Sequence, residues 1–208
     1  MLVELKLKEF LDKLASDSPT PGGGSASALA GAQAAALLEM VVALTLKGEK
    51  YAAARPHLEP IHAKAVSARG DLTTLVDRDA LAYDGVVAAN RLPKETDAQK
   101  AARKAAREKA LMFAAEIPLR TAELSASLAA LAAQAAPHIN PNAASDLLVA
   151  ALLAESALGG AAANVRINLA SLKSEALAAK MSERLGIWAC ETAGHVAEVR
   201  SRFTATAP

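Results

Sequence analysis

"SDSPTPGGGSASALAGAQAAALLEMV", residues 16–41, sets how the rest of the chain is read. Two prolines and the run Gly22, Gly23, Gly24 break the backbone, and a helix of unusually small side chains follows at once. Glycine gives up more conformational freedom on folding than any other residue, so an ordered run of three needs a reason. Either a ligand or another backbone comes very close there, or the segment is a flexible joint. The run lacks the Lys-Ser/Thr of a phosphate loop, and no strand pattern precedes it, so a nucleotide motif is weak. Backbone amides at the start of the helix, with Ser25 among them, can still receive an anion or a polarised oxygen. A plain close-packed turn explains the run equally well.

Outward from this stretch the chain reads as helices, because nowhere does period-two alternation of β-branched residues persist. A first helix is expected over 5–15, with Leu7, Phe10, Leu11 and Leu14 on one face, and a second from after the glycines to about 47. Arg55, Pro56 and Pro60 open a third, running to about 92. Thr96 caps a fourth, which meets Pro118, where a lost hydrogen bond predicts a bend. Asn140 caps a fifth, with Pro141 at its first position, reaching about 173; a sixth spans about 175–202. The fold class is all-α: one domain over 1–208, a bundle of about six long antiparallel helices.

A chain of 208 residues buries enough surface to need no staple. Net charge is +1, which points to neither nucleic acid nor an anionic membrane as partner. Cys190 is the only cysteine, which agrees with a reducing compartment. The amphipathic start carries both charge signs, unlike a secretory signal, and neither apolar helix makes a convincing membrane span. A cytoplasmic location is expected. Aromatics are only 3% of residues while alanine abounds, so each helix buries little area by itself, and a homodimer is the expected way to bury more.

Polar residues interrupt the apolar seams. Leu72, Val76, Asp79, Tyr83, Val86 and Asn90 fall on one helical stripe, which puts Asp79 where a leucine is expected. A carboxyl there must be paired, hydrogen-bonded or protonated, and burial would raise its pKa toward the range useful for proton transfer. Capping or pairing with an arginine is an equally good account of it. Asp77 and Asp84 lie off the stripe and read as solvated. Ala157, Ala161, Asn164, Asn168 and Leu172 form a second stripe with two amides one turn apart, able to hold a planar ligand but more simply knitting two helices together. Asp146 faces the same way as Asn164 but sits about 27 Å from it along an unbroken helix. One site can include both only if the helix breaks at Gly159 and Gly160, if the ligand is elongated, or if the two belong to different copies of the site. His57, His62, His138 and His195 show no ligand spacing, so no metal is expected.

Four stretches together, "PTPGGGSASALAGAQAAALLEMV", "LVDRDALAYDGVVAANRLPK", "EIPL" and "NPNAASDLLVAALLAESALGGAAANVRINL", resemble the formiminotransferase-cyclodeaminase family in its cyclodeaminase domain, over about residues 5–200. The resemblance implies an all-helical homodimer acting on a one-carbon tetrahydrofolate without metal or other cofactor. The leading expectation is a cyclodeaminase turning 5-formiminotetrahydrofolate into 5,10-methenyltetrahydrofolate and ammonia. The alternative is a cyclohydrolase interconverting 5,10-methenyl- and 10-formyltetrahydrofolate, and a further one is an inactive helical dimer serving as a folate-binding or interaction module. No formiminotransferase portion is seen, so a bifunctional enzyme is not expected. On the matching positions, Asp79 and Asp146 are the candidate acid/base residues. Pro21, Gly22, Gly23, Gly24, Ser25, Asn142, Asn164 and Asn168 are candidates for substrate binding, and Lys94, less surely Arg103, is a candidate for the glutamate tail. The glycine turn would close on the pterin or its reacting carbon, and the two amides of the fifth helix would orient the pterin or the carboxylates.

Overall fold

The computed structural model describes residues 1–172 and 175–206. Its helices are α1 (Leu7–Leu14), α2 (Gly23–Leu46), α3 (Arg55–Asn90), α4 (Asp97–Ala135), α5 (Ala144–Ala170) and α6 (Glu175–Thr206), joined by short 3-10 turns at Leu2–Glu4, Glu49–Ala54 and Pro141–Ala143. The expected all-α bundle is found, and no strand occurs among the described residues. The predicted end of the fifth helix at 173 lies outside the described residues.

Local signals placed several boundaries correctly. The Thr96 side chain accepts from the Gln99 amide and Gln99 answers the Thr96 backbone, a capping box that starts α4. Asn140 Oδ1 accepts from the Asn142 amide, and Pro141 opens the 3-10 turn that leads into α5. α4 continues through Pro118 without interruption, since the helix on both sides is held by tertiary packing. The first helix differs from its predicted face: Phe10 is buried, but Leu7 and Leu11 are 68% and 52% exposed. Eight residues make a helix too short to be pinned by its own periodicity, and α1 has no extensive contact with another helix. Asp77, expected in solvent, is half-buried, because its Oδ1 accepts from the Leu2 amide and so ties the N-terminal turn to α3.

The helices pack closely because alanine and glycine line the contacts. α2 lies between α3 and α5, α4 lies along α3 and α5, and α6 closes over α4 and α5. α2 buries Ala28, Gly31, Ala32, Ala34 and Ala35 beside Leu38, Val41 and Val42, and an added Cβ on Gly31 would come within 3.1 Å of Leu72 on α3. Leu72 and Val76 are sealed, so the inner half of the α3 stripe faces the core as expected. Farther along, Tyr83 and Asn90 emerge toward solvent.

The outward faces of α2 and α5 are largely apolar as well. Ala26, Ala30, Gln33, Leu37, Met40 and Leu44 follow one another along α2, and Val149, Leu152, Ser156, Gly160, Ala163 and Ile167 along α5, all exposed or half-exposed and none charged. By length and composition alone, α2 and the Pro141–Ala170 segment could each cross a membrane; 44% of the most apolar stretch of each is buried against other helices. Between the start of α2, the last turns of α5 and the flanks of α3 and α4, a cleft opens.

Candidate active site at the start of α2

The glycines are not a loop before α2 but its first turn. Gly22, in extended conformation, is the N-cap, and Gly23 and Gly24 are already helical. The reason is Asp79. α3 passes so close to this turn that a Cβ on Gly24 would overlap the Asp79 carboxylate, while a Cβ on Gly23 would touch Asn164 Nδ2 at 3.4 Å. Gly160 on α5 meets Ser27 of α2 in the same way: a side chain there would run into the Ser27 hydroxyl, which donates to the Gly23 carbonyl at 2.7 Å. Small residues on α2 and α5 thus let three helices converge on one carboxyl.

Asp79 is held from below. Fully buried Ser25 places its hydroxyl 2.9 Å from the Val76 carbonyl and 3.1 Å from Asp79 Oδ2, with the single proton shared between them. Burial raises the Asp79 carboxyl above the ordinary aspartate value, and the hydrogen bonds from the Ser25 hydroxyl and backbone oppose that rise only in part. No cationic side chain comes near enough to pair with it among the described residues.

The cleft above Asp79 has a volume of about 340 Å3, within the size class of small-molecule sites. Pro19, Thr20 and the glycine turn form one wall, Ala82, Tyr83 and Val86 of α3 a second, Leu111 and Ala114 of α4 a third, and Asn164, Ile167 and Asn168 of α5 the fourth. The two amides differ in duty. Asn168 Nδ2 donates to the Ala114 carbonyl at 2.7 Å and so stitches α5 to α4, whereas Asn164 Nδ2 bonds its own helix at the Gly160 carbonyl. Neither side-chain oxygen accepts a hydrogen bond among the described residues, and both residues line the cleft. Apolar walls, one carboxyl with a raised pKa and two amides suit a flat ligand carrying donors and a positive charge.

The structure therefore gathers Gly22, Gly23, Gly24, Asp79, Asn164 and Asn168 around one cavity, with Ser25 directly beneath it and buried Pro21 next to its wall. It does not gather the rest. α5 runs unbroken through Gly159 and Gly160, because Gly160 is tight against Ser27 and locks the helix there. Asp146 accordingly stays about 27 Å along α5 from Asn164 and lines no wall of this cleft. Asn142 is exposed beside the Asn140 cap, and Lys94 is exposed in the α3–α4 connection, both outside the cleft lining. Sequence reading missed Leu111 and Ala114 as walls, since nothing in their pattern distinguishes them from ordinary core positions.

The site is thus a carboxyl poised over a glycine helix start, inside a helical bundle with no strand among the described residues. A sequence profile of the formiminotransferase-cyclodeaminase family matches residues 6–186, and the chain belongs to that family. It is 40% identical over 179 residues to a methenyltetrahydrofolate cyclohydrolase of Methylorubrum extorquens, covering 86% of each chain. It is 35% identical to the formimidoyltransferase-cyclodeaminase of Sus scrofa, where it spans 98% of its own length but 38% of the pig protein's. The crystal structure of a formiminotetrahydrofolate cyclodeaminase from Thermotoga maritima superposes with a TM-score of 0.87 at 31% identity, covering 99% of this chain and 98% of the other.

Proposed function

We propose that the chain is an enzyme of one-carbon tetrahydrofolates and that its reaction at the Asp79 cleft is the hydrolysis of 5,10-methenyltetrahydrofolate to 10-formyltetrahydrofolate, and its reverse. The observation that carries this reading is the solitary Asp79 carboxyl: half-buried, hydrogen-bonded by Ser25, and without a cationic partner among the described residues. A buried carboxylate lacks stabilisation until a positive charge arrives. The methenyl bridge between N5 and N10 is such a charge, an amidinium whose carbon is also the electrophile.

In the forward direction Asp79 accepts a proton from water as the oxygen bonds to the methenyl carbon. The bond from that carbon to N5 then breaks as the carbinol O–H proton leaves to solvent and the C=O forms. N5 takes the first proton back from Asp79, the formyl group stays on N10, and one proton is released overall. One general base that becomes a general acid suffices for both steps. Identity over most of both chains with the Methylorubrum cyclohydrolase supports hydrolysis. A second reading, cyclodeamination, has support in the Thermotoga structure, whose name is that of a cyclodeaminase and which covers nearly the whole chain. There N10 attacks the formimino carbon, and the same acid protonates departing ammonia. The largely apolar α2 and α5 faces support a homodimer as the working form.

The test is a pair of assays on one preparation. Loss of the methenyl chromophore above the spontaneous rate, without ammonia, is expected. Ammonia release from the 5-formimino compound with no methenyl hydrolysis would replace hydrolysis by cyclodeamination, and failure of both would end the folate reading.

A further inference from the structure

Asp146 is half-buried at the start of α5, on the edge of that helix nearest α2, and makes no ion pair within its own chain among the described residues. It faces the same direction as Asn164, five turns further on. We propose that in a two-fold dimer built on the α2/α5 face, Asp146 of the partner subunit completes the Asp79 cleft and accepts the donor edge of the pterin ring. This rests on the folate reading for the identity of the ligand and on the geometry of the face for the rest.

The face has the size and chemistry of a subunit interface. α2 is 24 residues long, so at ~1.5 Å per residue and ~9 Å between helix axes the paired helices offer on the order of 700 Å2 per copy. Stable interfaces bury about 800 Å2 per partner. Met40, Leu44, Val149 and Ile167, between 38% and 70% exposed, supply its apolar anchors. Glu39, the one charged residue of α2, is turned aside and paired with Arg69 of α3 at 2.7 Å, so it does not interrupt the face. Ile167 belongs both to this face and to the cleft wall, so whatever covers the face also borders the cleft.

Two packings bring the face onto its own copy. With α5 parallel to α5, the two Asp146 carboxylates meet, a like-charge contact that opposes association. With α5 antiparallel to α5, each Asp146 lies level with the last turns of the opposing helix. Gly23 touches Asn164 and Ser27 touches Gly160, so the middle of the α2/α5 pair falls near Gln33 and Leu153. A two-fold axis there sets one copy's Asp146 within about a turn of its partner's Asn164. The 2-amino-4-oxopyrimidine edge of a pterin offers two parallel N–H donors, which a carboxylate accepts as it accepts the fork of an arginine. The described lining of the cleft has no second carboxyl to do this.

The geometry is tested without turnover. In a Cys190→Ser background, Asp146→Cys combined with Asn164→Cys should be joined between chains by a short bis-maleimide, giving a covalent dimer on a denaturing gel. A single chain cannot bridge the pair, so a product that remains monomeric overturns the proposal. So does a monomer by light scattering that binds phosphatidylcholine vesicles through the same face. The role is tested by mixing. Asp146→Asn should raise KM about tenfold or more with kcat nearly kept, and Asp79→Asn should abolish kcat. Subunits of the two variants, exchanged at equal amounts, should recover about a quarter of wild-type activity at low substrate, because half the dimers then carry one intact cleft. Heterodimers that form and recover nothing overturn the proposal, as does an Asp146→Asn variant with wild-type KM. Cross-linking in a protein inactive on both folates would refute the folate reading while leaving the shared cleft standing.

Discussion

Asp79 and Gly24 carry opposite parts of one arrangement, and substitutions at the two should fail differently. Asp79→Asn keeps the shape and a hydrogen-bonding group for Ser25 but removes the proton acceptor, so kcat should fall by at least about a hundredfold. Its stability should move the other way. Asp79 has a higher pKa folded than unfolded, so the stability it contributes is fully present below the unfolded aspartate value and is lost as pH rises through the folded one. At pH 7 the variant should therefore melt higher than wild type, and the gain should disappear on acidification. Equal or lower melting at every pH would mean that the carboxylate is not penalised by burial. In the wild type the acid limb of kcat/KM should lie above the usual aspartate range near ~3.9, and the limb of kcat lower, because the cationic substrate favours the ionised acid once bound. Gly24→Ala, by contrast, drives a methyl into the carboxylate and should lower activity and melting temperature together. Asp79 was legible in the sequence because it broke an apolar stripe. Asp77 was not, because its partner is the amide of Leu2, a residue 75 positions away, and no local pattern encodes that contact.

At the level of helices, caps and contacts can be separated by experiment. Thr96→Ala removes the acceptor at the start of α4 and should cost ~1 kcal/mol, lowering the melting temperature by about 2–4 °C with activity intact. Gly160→Ala should cost more, since the new methyl meets the Ser27 hydroxyl, and Ser27→Ala in the same chain should restore much of the loss. Failure of that rescue, measured by denaturant midpoint, would mean that α2 and α5 are not in contact there. The start of α4 was readable from Thr96, and the break before α5 from Asn140 and Pro141, although these two open a 3-10 turn and α5 itself begins three residues later, at Ala144. The state of Gly23 and Gly24 was not. Glycine before a helix reads as a breaker, and only the approach of α3 explains why these two belong inside the helix.

For the molecule as a whole, alanine content and the lack of strand periodicity foretold a helical bundle, and the four matching stretches foretold its family. What they did not reveal was how unevenly the chain is held. α2 and α5 are clasped by several helices, whereas α1 leaves Leu7 and Leu11 uncovered and has no extensive contact with another helix. Hydrogen exchange should show α1 amides exchanging orders of magnitude faster than those of buried α5 residues such as Ala154 and Val165. Comparable protection in the two would mean that α1 is covered in solution. The walls of the cleft escaped sequence reading for a related reason: Leu111 and Ala114 become site residues only because α4 crosses α5 where Asn168 reaches across to the Ala114 carbonyl.

The overlap that forbids a side chain over the acid has a use in sorting relatives of this chain. A homologue with anything bulkier than hydrogen at the position of Gly24 has no room for the Asp79 carboxyl as it stands here. Such a protein could preserve every helix and still have surrendered the chemistry, so one letter of its sequence would flag it as a retired enzyme.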